Sequence, residues 1–223
     1  MQTPPFPHES ATLLLDGPAG PLEVAVDPAA AGTAPRPLVA VICHPLSTDG
    51  GSMHNKVVTV VARALRELGI ATVRFNFRSV GASAGNYDSG VGEQDDLRAV
   101  VAWVRAQNPG CGLWLAGFSF GAYVALCASA ALQPQALISV APPVGRRPWD
   151  FSQVQPPANW LVIQGDADEI VDAQAVYQWL QALPAPPQLV RMPDTSHFFH
   201  RKLIDLRGAI QHEVRRWLPD GSC

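Results

Sequence analysis

The sequence predicts an α/β fold with a mostly parallel central sheet, helices on both of its faces and no cap domain. Three observations carry that prediction. Short apolar runs alternate with segments of helical periodicity, the pattern of strands joined by helical crossovers. Residues 38–43, Leu-Val-Ala-Val-Ile-Cys, are apolar at every position, as a strand covered on both faces must be. Between two late strands, residues 144–158 are proline-punctuated and lack helical periodicity, too short a stretch for a multi-helix lid. A length of 223 residues with 48% hydrophobic and 16% charged content suits one domain over 1–223 with a sizeable core.

The elements follow in order. Extended segments at 11–15 and 22–26 flank Asp16-Gly17-Pro18, a turn signal for an antiparallel hairpin at the sheet edge. After the strand at 38–43, Asn55 is placed to cap a helix whose apolar face carries Val57, Val58, Val61, Ala62, Leu65 and Leu68, with Gly69 as its stop. A strand at 70–75 precedes a helix over 93–107, with Glu93, Asp95 and Asp96 in the first turn, where the helix dipole favours acids. Pro109-Gly110 closes that helix. A strand over 113–116 leads into a helix, followed by strands at 136–141 and 160–164, a helix over 173–183, a strand at 188–192 and a last helix from His200 to Trp217.

Composition narrows the function. A net charge of −3 without a Lys/Arg-rich run gives no electrostatic footprint for nucleic acid. No apolar run nears the roughly 20 residues needed to span a bilayer, and the amino terminus has neither the basic start nor the apolar stretch of a signal peptide. Cys43, Cys111, Cys127 and Cys223 show no metal-ligand spacing and read as mostly buried, reduced thiols. A cytoplasmic protein without metal or cofactor is expected, with neither nucleic acid nor membrane as partner; nothing in the residues fixes its oligomeric state.

Two pentapeptides read Gly-x-Ser-x-Gly: Gly81 to Gly85 around Ser83, and Gly117 to Gly121 around Ser119. A nucleophilic serine of this kind needs a sharp turn between a buried strand and a helix, with small flanking residues that let the backbone bend. Ser119 has both neighbours: Leu113-Trp114-Leu115-Ala116 before it and Ala122-Tyr123-Val124-Ala125-Leu126 after it. Ser83 instead leads into Asn86-Tyr87-Asp88-Ser89-Gly90, a turn-forming cluster. A serine hydroxyl needs a histidine to take its proton and a carboxylate to orient that histidine. Asp166, Asp168 and Asp172 follow one late strand, and His197 follows the next. Either Asp166 or Asp172 could equally serve as a helix cap. His44 and His54 lack a compact ligand pattern and read as loop residues, and Arg78 reads as the partner of Glu93, Asp95 or Asp96.

The chain resembles the small, lidless serine esterases of the α/β-hydrolase superfamily over nearly its whole length. The resemblance rests on His44-Pro45 with Gly50-Gly51-Ser52-Met53, Arg74-Phe75-Asn76-Phe77-Arg78, Gly92-Glu93-Gln94-Asp95-Asp96, Gly117 to Gly121, Gly165-Asp166-Ala167-Asp168 and His197-Phe198-Phe199-His200. It implies Ser119 as nucleophile, Asp168 as the acid, His197 as base, and a structural role for the Ser83 loop. The oxyanion hole would use the backbone N–H of Phe120 and of Leu46, the latter standing where relatives often carry a second histidine. Phe118 and Phe198 either line an acyl pocket or pack the core. The expected activity is hydrolysis of small soluble carboxylic esters; a thioesterase, amidase or acyltransferase would use the same triad, and a noncatalytic binding protein could keep the fold.

Overall fold

A computed structural model describes residues 4–219. Its centre is one eight-stranded sheet in the order β1-β2-β4-β3-β5-β6-β7-β8. Strands β1 (Ala11–Gly17) and β2 (Gly20–Asp27) form the antiparallel edge hairpin, its turn spanning Gly17 to Gly20. Strand β2 pairs antiparallel with β4 (Ala71–Phe75), and every other pairing is parallel: β3 (Leu38–Cys43), β5 (Gly112–Phe118), β6 (Ala136–Val140), β7 (Trp160–Gly165) and β8 (Gln188–Met192).

Strand alternation sorts side chains to the two faces. Val39, Val41, Leu113, Leu115 and Val162 point to the layer holding α2 (Gly92–Gln107), α3 (Phe120–Leu132) and α4 (Ala173–Gln181). Leu38, Ala40, Ile42, Trp114, Ala116 and Ile163 point to the layer holding α1 (Lys56–Arg66) and α5 (Leu203–Val214). Because both faces are covered, all six residues of β3 are buried. Asn55 caps α1 as its residue type predicts, accepting the Val57 N–H at 2.8 Å, and Gly69 ends the turn after it at φ 86°, a conformation glycine adopts freely.

The last helix starts later than its periodicity suggests. Phe199 and Arg201 hold φ of 55° and 60°, so the chain at 199–201 cannot be helical; α5 begins at Leu203, and its far end tightens into a 3₁₀ turn at Arg215–Trp217. Residues 141–159 contain no helix, in agreement with the absence of a lid. This connection lies on α3 as a strap, with Trp149 and Phe151 packed against Tyr123. Among the described residues no helix is long and apolar enough to cross a membrane. Cys43 is buried, while Cys111 and Cys127 are half-buried; Cys223 lies outside the described residues.

Candidate active site

The chain leaves β3 to form α1 and β4 on one side, then returns past β3 through α2 to form β5 on the other. The strand order therefore reverses at β3, and in open sheets such a reversal opens a crevice at the carboxyl ends of the strands. In the β3–β5 register Cys43 sits opposite Gly117, so the segment His44-Pro45-Leu46 lies beside Phe118-Ser119-Phe120.

Both glycines of the Ser119 pentapeptide are sterically required. A Cβ at Gly117 would lie 2.3 Å from the Gly121 carbonyl carbon, and one at Gly121 would lie 2.4 Å from the Cys43 oxygen. Between them Ser119 adopts φ 53° and ψ −120°, which non-glycine residues rarely occupy. Its amide remains paired, donating to the Val140 carbonyl at 2.9 Å. The turn aims the side chain out of the sheet at the amino end of α3.

Ser119 Oγ donates to His197 Nε2 at 3.0 Å, and His197 Nδ1 donates to Asp168 Oδ2 at 2.8 Å. The carboxylate selects this tautomer, since only a protonated Nδ1 can donate to it. Asp168 is in turn fixed by the N–H groups of Ile170 and Val171 on Oδ1, at 2.9 and 2.7 Å, and by Gln164 Nε2 on Oδ2 at 2.9 Å. Burial raises the pKa of this carboxyl, but the hydrogen bonds from His197, Val171 and Ile170 and the imidazole's charge together outweigh it, holding Asp168 below the usual carboxylate value. The neighbouring acids have other work: Asp166 accepts the Asp194 N–H at 2.7 Å, and Asp172 caps α4 by accepting the Gln174 N–H at 2.9 Å. Glu169 accepts the backbone N–H of His197 at 3.0 Å.

The N–H groups of Leu46 and Phe120 form no hydrogen bond among the described residues. The Phe120 N–H also belongs to the first turn of α3, where orphan donors and the helix dipole favour negative charge. The loop bearing Leu46 is closed by the Gly51 N–H on the Leu46 carbonyl at 2.9 Å. Beneath it His44 is fully buried. Its Nε2 accepts the Phe77 N–H at 3.0 Å and its Nδ1 donates to the Pro45 carbonyl at 2.6 Å, so the ring is neutral and ties the loop to the end of β4; burial pulls its pKa down to about 4.

The cavity over Ser119 holds about 80 Å³ and is walled by Leu46, Pro143, Trp149, Ile170 and Phe198, with Asp49 and Arg146 as its charged members. Phe198 thus lies at the wall, half outward. Phe118 does not. As the last residue of β5 it continues the Trp114 and Ala116 face and is buried beneath the His197 ring, at 5.1 Å between centroids, so it supports the imidazole from below rather than forming the wall of the cavity over Ser119. Trp149 was not evident as a site residue from sequence; it comes from the strap, seated on Phe120 at 5.5 Å. A large aromatic within a proline-rich connection was the available signal.

The second pentapeptide is a staple. Ser83 Oγ donates to the Asn76 carbonyl at 2.7 Å and accepts the Glu23 N–H at 2.9 Å, which occupies the hydroxyl in joining β2 to the loop after β4. Arg78 forms a two-pronged pair with buried Asp96, at 3.0 and 2.9 Å, and Glu93 accepts the N–H groups of Asp88 and Gly90, so these acids hold the same loop. Among the described residues no three His, Cys, Asp or Glu side chains converge in a way that could hold a metal.

Comparison with known proteins agrees with this fold. Residues 26–155 match the family described as X-Pro dipeptidyl-peptidase (S15 family). A structure from Xanthomonas campestris, described as an α/β serine hydrolase without lid, is 74% identical and superposes with a TM-score of 0.96 over 98% of this chain and 100% of that one. An α/β serine hydrolase homologue from Coxiella burnetii is 43% identical, with a TM-score of 0.87 over 93% of this chain and 98% of its own. A protein of Rickettsia prowazekii is 32% identical over 208 residues, 89% of this chain and 86% of that one.

Proposed function

The chain belongs to the X-Pro dipeptidyl-peptidase (S15) family and, with its relatives, to the α/β serine hydrolases without a lid, and from that membership we propose that it cleaves small soluble carboxylic esters through an acyl-enzyme on Ser119. The observation that carries the reading is the continuous hydrogen-bonded path from Ser119 through His197 to Asp168 on a strained strand-to-helix turn. His197 Nε2 takes the Ser119 proton as Oγ attacks the ester carbon. Asp168 keeps the imidazole oriented and stabilises its positive charge while the proton is held. The negative charge that develops on the carbonyl oxygen would be met by the N–H groups of Phe120 and Leu46, which no protein acceptor among the described residues occupies. The tetrahedral intermediate collapses as His197 returns the proton to the leaving alcohol. Water, activated by the same histidine, then releases the acid.

The small size of the cavity over Ser119, about 80 Å³ and walled on its apolar side by Leu46, Pro143, Trp149, Ile170 and Phe198, supports a short acyl chain rather than a long lipid. The test is hydrolysis of p-nitrophenyl acetate and butyrate by wild type, Ser119→Ala and Ser83→Ala. Loss of turnover in Ser119→Ala with retention in Ser83→Ala is expected, and the reverse pattern would overturn the assignment.

A further inference from the structure

A second groove opens directly beside the cavity over Ser119, sharing Asn55 and Phe198 with it, and holds about 340 Å³. It runs between the amino end of α1 and the turn that leads into α5, over Leu203. Its charged lining is of one sign. Lys56 and Arg201 are exposed there beside the His200 imidazole, no acidic side chain lines the groove, and among the described residues neither cation has an ion-pair or side-chain hydrogen-bond partner. On a chain of net charge −3, two unpaired cations in one concavity are a local reversal of sign. Lys56 is also the first residue of α1, where the helix dipole adds to the positive potential. Phe199 and Arg201, both in the left-handed region, fix the sharp turn that presents this wall.

The side of the reaction follows from proton transfer. The group that leaves must receive its proton from His197 Nε2, so it departs on the histidine side of Ser119. Phe198 follows His197 in the chain and packs edge-on against its ring at 5.2 Å, and the groove lies beyond Phe198. We propose that this groove binds the leaving alcohol of the substrate, and that the preferred alcohol carries an anionic group, a carboxylate or a phosphate, held by Lys56 and Arg201. This rests on the ester-hydrolase reading and deepens it: the substrate is a short apolar acyl group esterified to an anionic alcohol. The chemical step is unchanged, with the acyl C–O bond breaking as the alcohol oxygen takes the histidine's proton.

The test compares three acetate esters of matched shape, whose phenols carry a propionate, a phosphate or the neutral N-methylpropionamide, with kcat/KM read from acetate release. Wild type is expected to prefer both anionic esters by about tenfold at low salt, and the preference should fall toward unity in the double variant Lys56→Gln/Arg201→Gln and in about 0.5 M salt. If one anion alone is preferred, that result names the headgroup. Calorimetry with Ser119→Ala supplies a readout that does not need turnover: 3-(4-hydroxyphenyl)propionate should bind more tightly than its amide, and the difference should vanish when Lys56→Gln and Arg201→Gln are added. Hydrolysis of all three esters at equal efficiency, or a preference that survives the double substitution, overturns the groove assignment while leaving the ester-hydrolase reading intact. If no ester is cleaved, that reading fails and calorimetry alone decides the groove: charge-selective binding supports it, and equal binding of acid and amide overturns it.

Discussion

Replacing Ser119 by glycine should leave the protein more stable than replacing it by alanine, while either change abolishes its activity. The residue is held at φ 53° and ψ −120°, a conformation that costs a non-glycine residue about 1–3 kcal/mol. Glycine removes that strain but loosens the unfolded chain by about 0.5–1 kcal/mol. With mid-range values of about 2 and 0.75 kcal/mol, the net gain of Ser119→Gly over Ser119→Ala is about 1.2 kcal/mol, or roughly 2–5 °C in Tm for a chain of this size. Both variants lose the hydrogen bond to His197 Nε2 equally, and both keep the amide bond to the Val140 carbonyl, so their difference isolates the backbone. Thermal unfolding at neutral pH measures the stabilities, and p-nitrophenyl acetate turnover measures the activity, expected to drop at least about 10⁴-fold in each variant. A glycine variant no more stable than the alanine variant would refute the claim that the turn stores strain at Ser119.

Ser83→Ala should lower stability by about 1–3 kcal/mol, because the Glu23 N–H and the Asn76 carbonyl each lose a partner; denaturant titration checks this. His44 should give the fold an acid-sensitive limb. Its native pKa is about 4 against an ordinary 6.5, so the unfolded chain binds a proton that the native state does not, and stability should fall by about 3 kcal/mol as pH drops between those values. His44→Gln, which keeps an acceptor for the Phe77 N–H, should flatten that slope in urea melts at pH 7 and pH 4.5. Gly121→Ala places a Cβ about 2.4 Å from the Cys43 oxygen, so the turn must shift, and kcat should fall by about 10²-fold or more even in folded protein.

The hydrophobic patterns read directly into structure where one local rule decides. The strand at 38–43 appears with the bounds the sequence suggests, because a continuous apolar run has no comfortable place except a covered sheet; the edge strand at 188–192 also keeps its bounds, although it carries Gln188 and Arg191 and only Met192 is buried. The helix over 93–107 gains one residue, and Asn55 caps α1 as its residue type predicts. The prediction loses accuracy at 199–202, where tertiary packing imposes left-handed residues that propensity does not foresee. Of the two roles open to Phe118, the structure shows core packing, since its neighbour Ser119 faces the crevice but strand alternation turns Phe118 into the layer below.

Sequence by itself determined the fold class, the serine on its strand-to-helix turn and the order of serine, acid and histidine, since these depend on spacing and residue type along the chain. It could not choose among Asp166, Asp168 and Asp172 without help from a resemblance, because three aspartates within seven residues differ only in where the loop points them. Tertiary structure separates them by hydrogen bonding: one meets His197, one holds a neighbouring turn and one caps a helix. It also brings Trp149 and Arg146 of the strap to the cavity over Ser119, and Lys56 to the same groove as Arg201, neighbours that only the packing of strap, helix and turn creates. Covalent order supplies the reacting groups, and the space around them, which selects a substrate, exists only once the chain has closed on itself.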